Sequence, residues 1–190
     1  MISVDEALAL VFGLVAPLPN ETVPLTHACG RWMASPATAT RDQPPFAASA
    51  MDGYAICGPA TPGARFTVVG EASAGHGWPG TLSHGQTIRI FTGAPVPPGA
   101  DRVVIQEDVS RQGDQITLTE GLDNGTHIRP KGQDFRAGDT LSPRHLRPAD
   151  IALLAAMNVP EVSVTRRPVV ALIATGDELV MPGEAPRDDQ

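Results

Sequence analysis

The stretch RPADIALLAAMNVP, residues 147–160, decides how the chain is divided, because it reads as a helix and follows a long run that does not. Pro148 suits a first helical turn, where its missing N–H costs nothing, and Asp150 favours the positive helix end. Ile151, Leu154, Ala155 and Met157 recur at helical spacing and are expected to face a core. Asn158 fits a left-handed C-terminal cap, with Pro160 just beyond it.

Working upstream, Ser3-Val-Asp-Glu6 has the form of a capping box, and Ala7, Leu10, Val11, Leu14 and Val15 follow at helical spacing. This predicts a helix over 4–16, ended by Pro17 and Pro19. TVPLTHA and RWMASPATA, on either side of Cys29-Gly30, read as short extended segments around a turn. From about 40 to 135 every signal is strand or turn. DGYAI, RFTVVGEA, TIRIFTG, DRVVIQEDV and QITLT alternate or run apolar between Gly, Pro and Asp breakers. Strands this short and regularly spaced suggest a small barrel or sandwich. With helices at both ends and strands between, the fold class is α+β. A barrel-like all-β domain (40–135) is inserted into a discontinuous helix-and-strand domain (1–39 plus 136–167).

Downstream the pattern changes. VVALIAT (169–175) is a continuous apolar run, as in a strand buried on both faces of a parallel sheet. Only GDELVMPGEAPRDDQ follows it. Residues 168–190 are therefore expected to be the first strand of a truncated α/β domain.

Composition removes several functions. The chain has 190 residues, a formal net charge of −7 and 19 each of Gly and Pro. A duplex-binding protein needs a basic stripe, so no nucleic-acid partner is expected. MISVDEALALVFGLV is too short and too acidic for a signal peptide or a membrane span, so no membrane association is expected. Cys29 and Cys57 match no CxxC spacing and read as reduced thiols of a cytoplasmic protein. The five histidines, at 27, 76, 84, 127 and 145, lack metal-ligand spacing. Gly75-His-Gly-Trp-Pro-Gly80 matches GxGxxG, but Trp78-Pro79-Gly80 cannot open the helix a dinucleotide site requires.

Four motifs could carry chemistry, each with a plainer reading beside it. In SAMDGY, Ser49 to Tyr54, a lone carboxylate, Asp52, stands among small residues. It could meet a ligand or cap a hairpin turn locally. In FTGAPVPPGAD (91–101), Thr92 offers a hydroxyl, and Gly93 with Ala94 offers unobstructed backbone; the alternative is a proline-stiffened turn. In IRPKGQD (128–134), Arg129 and Lys131 share a face if extended, and Asp134 returns a carboxylate. They could hold an oxyanion or simply be solvated. TGDEL (175–179) follows the apolar run, at the strand end where α/β sheets bind ligands. Asp177 and Glu178 could there hold Mg²⁺ or a water, or Asp177 could cap a helix.

Taken together and in this order, PPFAASAMDGYAI, GEASAG, IRIFTGAPVPPGADRVVIQED, IRPKGQD, LLAAMNVPEVSV and RRPVVALIATGDEL resemble the molybdopterin molybdenumtransferases, the MoeA and gephyrin E-domain group. The resemblance implies insertion of molybdate into adenylated molybdopterin, with Mg²⁺ or a similar cation and release of AMP. It implies a homodimer in which the inserted β domain faces the third domain of the partner subunit. A molybdopterin-adenylating enzyme of the same pathway is an implied partner. Carried over by motif, Asp52, Thr92, Asp134 and Glu178 are the implied catalytic residues. Ser49, Gly93, Ala94, Arg129, Lys131 and Asp177 are implied at the substrate, and Asp52 and Glu178 are the best metal candidates. Thr92 and the Gly93 amide would donate to an oxyanion, while Asp134 orients Arg129 or Lys131. The chain matches the first two domains and the opening of the third, so alone it is expected to bind adenylated molybdopterin weakly or not at all. A non-enzymatic scaffold built on the same domains is the alternative.

Overall fold

The computed structural model describes residues 2–190. Its helices are α1 (Val4–Gly13) and α2 (Pro148–Ala156). Its strands are β1 (Asn20–Pro24), β2 (Ala37–Thr38), β3 (Ala48–Ser49), β4 (Gly53–Ile56), β5 (Arg65–Ala72) and β6 (Gln86–Ile90), followed by β7 (Arg102–Ile105), β8 (Val109–Gln112), β9 (Gln115–Leu118), β10 (Ile128–Arg129), β11 (Thr140–Leu141) and β12 (Glu161–Thr165).

One core is assembled from the two ends of the chain. β1 pairs antiparallel with β12, from Asn20↔Thr165 to Pro24↔Glu161, and β2 pairs with β11. Ala28, Met33, Leu146, Leu154, Met157 and Val164 fill the space between these ribbons and α2. The second helix follows its sequence signals closely. Pro148 lies in the first turn, Asp150 accepts from the Arg147 amide at 2.9 Å, and Asn158 takes φ +60°. Leu154 and Met157 are buried, but Ala155, expected to face inward, is exposed. One residue turns a helix by about 100°, which carries Ala155 off the buried stripe.

The middle of the chain forms a six-stranded mixed sheet in the order β7-β4-β6-β5-β9-β8, parallel only between β5 and β6. Both faces are covered. Ala55, Ile88, Ile90 and Val103 pack on one side; Tyr54, Ile56, Phe66, Val104, Ile116 and Leu118 pack on the other. The edge strands β7 and β8 are joined only by the 3₁₀ turn Gln106–Asp108. A flat six-stranded sheet would separate its edges by about 24 Å, whereas four Cα steps span at most about 14 Å. The sheet must curl to close that gap, and the result is a half-barrel.

Two apolar segments are left uncovered, one of them the run expected to be a buried strand. α1 has its capping box, with the Ser3 amide donating to Glu6 Oε2 at 2.7 Å and the Glu6 amide to Ser3 Oγ at 3.2 Å. However, it ends at Gly13, and none of its residues is buried. Capping fixes a helix locally; burying its apolar stripe takes a neighbour, and none of the described residues supplies one. Likewise 166–190 contains no strand or helix, and Val169 and Leu172 are 99% and 93% exposed. An apolar run becomes a parallel strand only beside partners, and the half-barrel and the end-to-end core offer it no free edge that it takes.

Candidate functional site

The short strand β3 gathers three of the four motifs. On one side it pairs with β10, Ile128↔Ser49 and Arg129↔Ala48, and the Ala50 amide donates to His127 O at 2.8 Å. On the other side the Gly93 amide donates to Ser49 O at 2.8 Å, and the Ser49 amide donates to Ala94 O at 2.9 Å. SAMDGY is thereby held between the Thr-Gly turn and the basic segment.

Asp52 leaves β3 toward the turn. Its Oδ1 accepts from the Thr92 amide at 2.7 Å and from Thr92 Oγ1 at 2.8 Å. The carboxylate caps a turn, but one forty positions along the chain rather than its own. These two donors, the amide first, hold the Asp52 carboxyl below its ordinary range, with Arg89 adding a smaller pull. Oδ2 has no hydrogen bond among the described residues, and Asp52 is exposed.

The neighbouring expectations need adjusting. Thr92 spends its hydroxyl hydrogen on Asp52 and Gly93 its N–H on Ser49, so neither is a free donor; the Thr92 oxygen can still accept. Ala94 is fully buried. Ser49 is buried too, its Oγ donating to Met51 O at 2.6 Å, which makes it a support for the loop. Gly93 takes φ +81°, a backbone angle that favours glycine at this turn.

In the basic segment Asp134 holds Arg129: Nη2 donates to Oδ1 at 2.6 Å and to Oδ2 at 2.8 Å. Nη1 and Nε remain for another acceptor. Lys131 turns away and pairs with Asp42 at 3.2 Å. Asp42 also accepts from the Ala137 amide at 2.9 Å, the main reason its carboxyl is held low. Asp42 was not singled out from sequence, although a lone acid before Gln43-Pro44-Pro45 was a visible signal.

Asp177 and Glu178 lie after β12, in a stretch without strand or helix. No helix follows Asp177 to be capped; its carbonyl accepts from Gln190 Nε2 at 3.2 Å. Neither carboxylate makes an ion pair among the described residues. Nor does any group of three or more His, Cys, Asp and Glu converge as a metal site among them. A cleft of about 550 Å³ lies among Glu21, His27, Cys29, Arg31, Arg166 and Arg167.

A half-barrel inserted into a discontinuous α+β body, with an Asp-Gly loop pinned to a Thr-Gly turn, places the chain in one class of protein. Residues 2–158 match the family model described as the MoeA N-terminal region (domain I and II), and the chain belongs to that family. More particularly, it is 40% identical to a molybdopterin molybdenumtransferase of Nostoc sp., over 95% of this chain and 44% of that one. It is 36% identical to molybdopterin molybdenumtransferase 2 of Mycobacterium tuberculosis, over 96% and 47%. The crystal structure of a molybdopterin biosynthesis moeA protein from Pyrococcus horikoshii OT3 superposes with a TM-score of 0.82 at 34% identity, covering 97% of this chain and 51% of that one. The chain spans about half the length of the curated relatives it matches.

Proposed function

We propose that this chain forms the N-terminal half of a molybdopterin molybdenumtransferase. The whole enzyme then serves molybdenum cofactor biosynthesis, inserting molybdate into adenylated molybdopterin with release of AMP. The observation that carries this reading is the Asp52–Thr92 link, which follows the short strand β3 whose partner β10 carries Arg129. An ionised, exposed carboxylate supplies a cation-seeking group, and an arginine held by Asp134 supplies an anion-seeking one.

Asp52 holds its charge at neutral pH and offers Oδ2 outward. Arg129, fixed by its carboxylate partner, offers its remaining N–H groups to an oxyanion. Mg²⁺ takes one or two carboxylates and completes its shell with water and phosphate oxygens. Asp52 fits as one such ligand, with Glu178 as the second candidate carboxylate. Mg²⁺ there would supply charge neutralisation between an acidic protein and two anionic substrates. The enzyme is proposed to act in the cytoplasm as a homodimer. The uncovered apolar residues of α1, such as Leu10 and Phe12, support a partner; no helix among the described residues is long and apolar enough to cross a membrane.

The test is Asp52→Asn in the full-length enzyme. Cofactor synthesis should be lost while the fold, read by circular dichroism, is kept. Wild-type turnover in that variant would take Asp52 out of the reaction.

A further inference from the structure

Arg89 is a charged residue on β6, between Ile88 and Ile90, both fully buried. Its position in the sheet is opposite Tyr54 on β4. The guanidinium carbon sits 5.2 Å from the Tyr54 ring centre and 4.7 Å from that of Phe91. Nη1 donates to Gly53 O at 3.2 Å and Nη2 to Gln106 Oε1 at 2.6 Å. The Gln106 amide in turn donates to Asp52 O at 3.0 Å. Arg89 and Gln106 therefore brace the two successive carbonyls of Asp52-Gly53. Arg89 also holds the ring next to Thr92 in sequence.

We propose that Arg89 is a positioning residue for the Asp52–Thr92 pair, gripping the residue after Asp52 and the residue before Thr92 with one rigid plane. It thereby sets the direction in which Asp52 presents Oδ2. A guanidinium does this where an ammonium cannot, because it donates along two fixed directions while its faces stack on rings. The contribution to chemistry rests on the function proposed above; the geometric role does not. The other charged groups nearby are Glu71, opposite Arg89 on β5, and Glu107, whose Oε1 accepts from Gln106 Nε2 at 3.1 Å.

The test is NMR of this chain with Arg89→Gln and Arg89→Lys, following the Thr92 amide and its titration with Asp52. In Arg89→Gln the Thr92 amide should move toward the shift of an unbonded amide, and the Asp52 midpoint should rise. In Arg89→Lys the positive charge should keep the midpoint near wild type, while the amide is still displaced. An undisplaced Thr92 amide in both variants would overturn the proposal. Should Arg89→Gln fail to fold, Gln106→Leu keeps Arg89 but removes its anchor. It should displace the Thr92 amide in the same direction by less, and no displacement would again overturn it. A displaced amide with normal turnover in the full-length enzyme would leave the positioning role standing and sink the catalytic reading of Asp52.

Discussion

At the scale of single residues, Asp52 is placed by its neighbours more than by its own turn. Its folded-state carboxyl sits below the ordinary range, chiefly because the Thr92 amide and hydroxyl bond the charged form. A depressed carboxylate contributes stability that is fully present above its unfolded value, about 3.9, and lost as pH falls through the lower folded value. The Thr92 amide resonance should therefore hold steady from pH 7 to about 5 and shift only in strong acid, with a midpoint below about 3.9. An NMR titration reads this directly; in Asp52→Asn the transition should vanish. Gly53, beside it, has a different constraint. A Cβ there would fall inside the contact radius of the Val104 carbonyl oxygen on the paired strand β7. Since that obstacle is backbone in the sheet's interior, Gly53→Ala should cost at least the ~1–3 kcal/mol typical of overpacking, measured by urea unfolding.

At the scale of elements, α2 was legible in the sequence nearly residue by residue, because Pro148, Asp150 and Asn158 act locally and their signals do not depend on tertiary context. Most strands of the half-barrel were legible through alternation and breakers, but DRVVIQEDV, read as one run, breaks at the turn Gln106–Asp108, and β8 beyond it was not read as a strand. What the sequence hid was pairing. β3 is two residues long and too short to show a period, yet it joins the Thr-Gly turn on one side to the segment of Arg129 on the other. The commitment of the Gly93 amide to Ser49 and of Lys131 to Asp42 follows from that pairing, so single-segment reading could not reach it. The burial of α2 gives a clean contrast within one turn. Leu154 is fully buried and its neighbour Ala155 exposed. Leu154→Ala should lose about 2–5 kcal/mol, whereas Ala155→Ser should stay within about 0.5 kcal/mol. Equal losses in chemical denaturation would mean that the helix packs on a different face.

At the scale of the whole molecule, stability is concentrated between residues 20 and 165, where the three hydrophobic clusters and the strand pairs lie. Outside that range the chain is apolar but uncovered: α1 shows Leu10 at 64% and Phe12 at 68% exposure, and Ile173 stands at 85%. Apolar surface that stays in water in the folded state gains nothing by folding. Removing residues 168–190 should accordingly leave the thermal midpoint almost unchanged, and amides 169–175 should exchange with deuterium at nearly unprotected rates. A protected run there would show that the segment finds a partner strand, on this chain or on another copy. Scanning the midpoint against protein concentration separates those cases, because only pairing between copies makes it rise with concentration.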